Sequence, residues 1–218
     1  MNHATDTHLL DALGAGNSSR RLAAALAAGT RPDPALAGAL VDRCAVEPDF
    51  FVRDMLTWAL TRLPAEVTVP RLVAELGSGR AQARSQALHT LSKIGDRTTW
   101  QAITRALLHD PDDEVARSAW RAAVVLAPPG DHPELAADLA HQLGRGDRDV
   151  QLSLSRALVA LGDVAEPALR PGLASPDPAV RAHARATEQL LRDPDSAFDL
   201  AVDEAKRIVA LGPDAAAC

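Results

Sequence analysis

Six segments of this sequence stack beneath one another in register, beginning at Ser18, Arg53, Arg84, Arg117, Gln151 and Arg181, with steps of 30–35 residues. A step of that size is close to one helical hairpin, and a chain that repeats it buries its core by stacking neighbours. Eleven residues after each start stands Gly29, Pro64, Gly95, Pro128, Gly162 or Arg192. Five of those six break helices, which predicts a first helix of about three turns in every unit.

One face of that helix is apolar. Three residues past the start come Leu56, Ala87, Trp120, Leu154 and Ala184. Seven past come Leu60, Leu91, Val124 and Leu158, and ten past come Leu63, Ile94, Ala127, Leu161 and Leu191. Steps of three, four and three fall on one helical stripe. Six past the start a small residue recurs (Ala24, Ala59, Thr90, Ala123, Ala157, Thr187), which lets a neighbouring helix come close. Second helices are predicted over residues 34–44, 69–76, 99–108, 133–143, 166–173 and 196–211. Pro34, Pro70, Pro133 and Pro167 fall at or near their starts, where a missing N–H costs nothing. Four residues before the starts of units two to six stand Asp49, Arg80, Asp113, Asp147 and Asp177, and an Asp there caps the helix that follows.

Composition removes the competing classes. Aromatic residues make up 3% of the chain and tyrosine is absent, so an all-β fold is excluded. Two cysteines, Cys44 and Cys218, cannot build a disulfide scaffold or a four-thiolate site. No apolar run approaches the ~18 residues of a membrane span. Residues 1–11 carry no Lys or Arg and no apolar signal core, so a cytoplasmic protein is expected.

The recurring opening Asp-x-x-Val/Ala-Arg (Asp49 to Arg53, Asp113 to Arg117, Asp177 to Arg181) resembles the HEAT repeat. The Leu/Ala stripe and the endings Ile94-Gly95-Asp96 and Leu161-Gly162-Asp163 resemble its short bacterial form, the PBS-lyase HEAT-like subtype. The resemblance implies an all-α fold, an α-solenoid (a right-handed superhelix) of about six HEAT-like helical hairpins over residues 17–211. Residues 1–16 would form an N-terminal segment with a short capping helix, and residues 212–218 a disordered tail. Aligned at Ser18, the first unit brings neither Asp nor Arg into register, as capping units often do. Unit five carries Gln151 in the Arg column. Residues 48–63 (PDFFVRDMLTWALTRL) and 81–95 (AQARSQALHTLSKIG) are similar to HEAT segments joined to MerR-type DNA-binding domains in regulators of high-GC bacteria. That resemblance implies a bacterial partner-binding module whose partner is a transcriptional regulator. No winged helix precedes the repeats, so DNA binding by the chain itself is not expected.

The Arg column (Arg53, Arg84, Arg117, Arg181) is read as a structural ladder, each guanidinium bonding carbonyls or the Asp of an adjacent inter-repeat turn, with Asp49, Asp113, Asp147 and Asp177 as the acidic members. Metal chemistry finds little support: no His precedes a Glu and no pair of the seven histidines has the spacing of a helical metal site. Scattered surface histidines are the expectation, and no cofactor is implied. DNA glycosylases of the AlkD type also use a HEAT-like solenoid, with tryptophans and an acid facing a basic cleft. Trp58, Trp120 and Asp54 mimic that set, although Trp120 falls in the core column and the net charge of −6 opposes binding to phosphates. Residues 1–109 hold 12 basic and 10 acidic groups, whereas residues 110–218 hold 11 and 19.

The expected function is a non-enzymatic scaffold or adaptor that grips a protein partner on a concave surface lined by the second helices. The surface expected to do so comprises Trp58, Arg43, Arg71, Glu75, Arg105, Asp138, His141 and Gln142. An AlkD-like glycosylase or a bilin-lyase-like enzyme subunit is the alternative, and self-association through exposed end repeats stays open. Duplex DNA and membranes are not expected partners.

Overall fold

A computed structural model describes residues 3–193. Their regular structure is helical: α1 (His3–Leu13), α2 (Ser18–Thr30), α3 (Ala37–Cys44), α4 (Phe50–Thr61), α5 (Ala65–Glu75), α6 (Ala81–Ile94), α7 (Arg105–Leu108), α8 (Asp113–Leu126), α9 (His132–Ala140), α10 (Arg148–Ala160), α11 (Ala165–Leu173) and α12 (Pro178–Arg192). Short 3-10 turns precede α3, α7, α9 and α11. The chain divides into two compact units, Met1–Asp131 and His132–Cys218. In the first, α2, α4, α6 and α8 are successive neighbours, with α3, α5 and α7 packed against them. In the second, α10 packs on α12, and α9 on α11. These are stacked helical hairpins, the all-α repeat solenoid that the period predicts. Among the described residues no helix is long and apolar enough to cross a membrane.

Most of the apolar stripe forms the core, while Ile94, Val124 and Leu191 are only half-buried. Leu56, Trp120, Leu154 and Ala184 are fully enclosed, as are Leu60 and Leu158. The column six past the start is buried throughout, and its two threonines satisfy their hydroxyls within the helix. Thr90 Oγ1 donates to Gln86 O at 2.8 Å and Thr187 Oγ1 to His183 O at 2.9 Å, so a polar side chain is tolerated there.

The caps refine the alignment. Asp49, Asp147 and Asp177 each accept backbone N–H bonds from the first turn of α4, α10 and α12. In the fourth unit the cap is Asp112 and not Asp113: Asp112 accepts from Glu114 N and Val115 N, and Asp113 is the first helical residue. Unit one follows the pattern after all, because Asn17 caps α2 through Ser19 N and Arg20 N. Its register therefore begins at Arg21, four residues past Asn17 as Arg53 is past Asp49. Replacing Asp112 by Ala should cost about 1 kcal/mol in urea unfolding, and replacing Asp113 less, because only the former leaves first-turn N–H groups without their cap.

The second helices differ more from expectation. The helix predicted over 69–76 starts at Ala65, which leaves Pro70 inside it and not at its start. Pro70 and Glu66 are both exposed, so the hydrogen bond that the proline removes lies on the solvent side. The helix predicted over 99–108 is instead a 3-10 turn, Arg97–Ala102, a break at Ile103 and Thr104, and the single turn α7. Thr98, Thr99, Ile103 and Thr104 are β-branched, and Asp96 draws Thr98 N and Oγ1 into a cap at 3.0 and 2.7 Å. The helix predicted over 196–211 and the tail lie outside the described residues.

Candidate functional site

The Arg column binds backbone. Arg53 donates to Glu47 O and Pro48 O at 2.9 and 2.8 Å, and Arg181 to Ser175 O and Pro176 O at 2.6 and 2.7 Å. Arg84 reaches Ser78 O at 2.8 Å and grips the Asp110 carboxylate through two bonds of 2.9 and 3.1 Å. Gln151 takes the Arg position with one weaker bond, Nε2 to Gly146 O at 3.2 Å. Arg117 departs from the column: it bonds Glu114 Oε1 at 2.6 Å within its own helix.

Arg21 is the member that alignment at Ser18 misses. It donates to Ala15 O and Gly16 O and forms a bidentate pair with Glu47, both bonds 2.7 Å. Glu47 has no exposed surface and also accepts from Arg43 at 2.8 Å and from Asp49 N at 2.9 Å. Gln82 closes the cluster by donating to Cys44 O and Glu47 O. Burial by itself pushes the Glu47 carboxyl up, but the bonds from Arg21, Asp49 N–H and Arg43 outweigh it and hold the pKa at about 2. The acidic partners are thus Glu47 and Asp110, each 26 residues after its arginine. That spacing is the signal that could have found them.

A second buried cluster corrects the picture of surface histidines. His183 is 4% exposed, between α10 and α12. Its Nδ1 accepts from Gly144 N at 3.0 Å, so the proton sits on Nε2, which lies 3.0 Å from Gln151 O and 3.1 Å from Ser155 Oγ. Ser155 Oγ also meets Thr187 Oγ1 at 2.8 Å. Gly144 holds φ at +85°, and a Cβ there would fall 2.9 Å from Val180, so this turn needs glycine. With Nε2 protonated, the imidazole cannot take a proton from Ser155, and the pair is not an activated nucleophile. Burial pushes the His183 pKa below its ordinary value, against a smaller opposing effect of the Gln151 carbonyl. In its buried setting the neutral form is favoured, so this group stabilises the fold above the ordinary histidine value of ~6.5 and loses that stabilisation as pH falls below it. His183→Gln should therefore flatten the pH dependence of the urea midpoint below ~pH 6.5.

The residues expected on the partner surface fall into two groups, one in each unit. Arg43 is not available: it is half-buried and bound to Glu47. Arg71 is exposed on α5 and lies over Gly38 of α3, and Glu75 stands one turn further along α5. Glu75, Asp42, Ala45, Ser78 and Arg80 line an open groove of about 270 Å³ where α3 and α5 end. Arg105 is exposed at the first position of α7. In the second unit His141 is exposed just past α9, Asp138 is half-buried, and Gln142 Oε1 accepts from Arg145 at 2.9 Å.

The tryptophans separate. Trp120 is fully buried and its Nε1 donates to Leu108 O at 2.9 Å. Trp100 Nε1 donates to Asp131 Oδ2 at 2.6 Å. Trp58 is 37% exposed and lies on a first helix, not on the second helices. Its ring covers the backbone of Gly29 in α2 so closely that a Cβ there would fall 2.2 Å from the ring. Cys44 is buried, and that burial pushes its thiol up to about 12, far from a reactive thiolate.

No protein-family model matches the chain, and no curated protein matches it. The chain is similar to a number of solved structures, among them the following three. An engineered protein shows 17% identity over 88% of this chain and 99% of its own, with a TM-score of 0.47. The complex of CpcE and CpcF of phycocyanin lyase from Nostoc sp. PCC7120 shows 21% identity over 84% of this chain and 75% of that one, with a TM-score of 0.48. A designed armadillo repeat protein in complex with the peptide (KR)4 shows 16% identity over 84% and 80%, with a TM-score of 0.31. At TM-scores below 0.5 none of these likenesses carries weight in assigning a function.

Proposed function

We propose that this chain is a non-enzymatic helical-repeat adaptor that binds a protein partner along its second helices, with a transcriptional regulator as the partner class. The observation that carries this reading is the groove between the ends of α3 and α5, where the exposed Asp42 and Arg80 stand with the half-exposed Glu75 and Ser78. Charges of both signs on a shallow, solvated surface suit a polar protein contact. The structural polar groups, by contrast, are consumed: Arg21, Arg43, Arg53, Arg84 and Arg181 hold turns, and His183 holds a backbone N–H. Arg71 and Arg105 belong to the proposed surface in the first unit, and Asp138, His141 and Gln142 form a separate candidate surface in the second. The similarity of residues 48–63 to regulator-borne segments supports the partner class.

Affinity capture from nuclease-treated lysate tests the reading. Wild type should recover one dominant protein, and Glu75→Arg and Arg71→Glu should each lose it while melting as wild type does. If no protein is recovered, and duplex DNA binds instead with an affinity that falls steeply as salt rises, the adaptor reading fails in favour of the glycosylase.

A further inference from the structure

The chain has six aromatic residues, and three of them (Phe50, Phe51 and Trp58) sit exposed on the single helix α4. Phe51 is 70% exposed and Trp58 37%. They are seven residues apart, hence on one stripe of the helix. Leu26, 41% exposed on α2, stands one turn before the Gly29 that the Trp58 ring covers, so it widens the same apolar strip. Exposed aromatic groups gathered on one face mark an interaction surface, and tryptophan is the residue most enriched where binding energy concentrates.

Charge placement on α4 identifies what fits there. Asp54 lies four residues before Trp58 and Arg62 four residues after it; both are exposed and neither forms an ion pair among the described residues, although the Asp54 charge also acts on His89 of α6. We propose that the α4 face binds a second copy of this chain, the two α4 helices running antiparallel about a two-fold axis at Trp58. Antiparallel alignment sets Asp54 opposite Arg62 of the other copy, and Arg62 opposite its Asp54. The helical rise places each pair roughly 6 Å from the axis. The same alignment carries Phe51 towards the exposed Pro64 of the other copy. Parallel alignment would instead oppose like charges, Asp54 to Asp54 and Arg62 to Arg62. A surface that is complementary to itself under a two-fold rotation is the requirement for an isologous dimer. The strip is one helix wide, small beside the ~1,200 Å² of a stable complex, so the association is concentration-dependent. It is independent of the groove between α3 and α5.

Sedimentation across a concentration series at low salt tests this, using the full chain, Asp54→Arg, Arg62→Asp, the double variant, and an equimolar mixture of the two single variants. Circular dichroism melts check that each variant folds, since Asp54 also acts on His89. Wild type should dimerise, and each single variant should weaken the association by at least about tenfold, because like charges then face each other. The double variant should recover it. The mixture should form a heterodimer that neither single variant forms alone, since both positions are then basic in one copy and acidic in the other. A wild-type chain that stays monomeric throughout, leaving the face to another protein or to its own residues, overturns the proposal. So does a dimer indifferent to both reversals, or a failure of the double variant and the mixture to recover.

Discussion

Replacing Glu47 by alanine should lower stability by about 3–5 kcal/mol, the cost of removing one partner from a buried ion pair. The side chain has no exposed surface and is the meeting point of four elements: α2 through Arg21, α3 through Arg43, the turn before α4 through Asp49 N, and α6 through Gln82 on its carbonyl. Its loss leaves the Arg21 guanidinium, itself 5% exposed, without a counter-charge. Arg43 is 19% exposed at its side chain and can turn to water, so Arg21 carries most of the effect. A double variant, Arg21→Met with Glu47→Leu, should recover much of the loss, because an apolar pair of similar volume spares both desolvation costs. Urea unfolding of the three variants measures this. A single variant within about 1 kcal/mol of wild type would show that the pair is no keystone. The same residue sets an acid limit. Its folded pKa of about 2 lies below the ordinary ~4.3, so its contribution is complete above that value and is lost as pH falls towards 2. Glu47→Gln should abolish that part of the acid transition.

Trp120→Ala should cost a similar amount, about 3–5 kcal/mol, and Trp58→Ala well under half of it. Trp120 is enclosed in α8 and its indole N–H satisfies Leu108 O, so truncation opens a cavity and strands a carbonyl together. Trp58 covers Gly29 with part of its ring and shows the rest to solvent, so its removal loses packing on one side only. Thermal melts of the two variants give the contrast directly. The comparison also bears on the glycosylase alternative, which needs tryptophans facing a ligand. Trp120 is committed to the core, which leaves Trp58 with Asp54 as the accessible members of that set. On the self-association proposal, Trp58→Ala should weaken the dimer by more than its modest loss of stability accounts for. A Trp58→Ala loss of ~3 kcal/mol or more would place that residue in the core instead.

The hairpin period, the apolar stripe and most of the caps were legible in the sequence because each is a local property. A helix buries residues three and four apart whatever it packs against, and Asp before a helix caps it wherever the helix lies. The two misreadings of this kind were also local: Asp113 for Asp112 in unit four, and a first unit aligned at Ser18 when Asn17 and Arg21 carry the pattern.

What only the tertiary structure decided is which polar groups meet. Arg21 and Arg84 find Glu47 and Asp110 in the turn 26 residues ahead, Arg43 is drawn off the expected binding surface by the same Glu47, and His183 turns inward to hold Gly144 N. Arg117 lies five residues past its cap Asp112, one position off the register of Arg53, and stays with Glu114 of its own helix. Repeat position determines that a guanidinium lies beside a turn; the rotation between stacked hairpins determines whether a carboxylate waits there. The period of one chain segment carries no information about that rotation, because it is set by how side chains on neighbouring helices interlock.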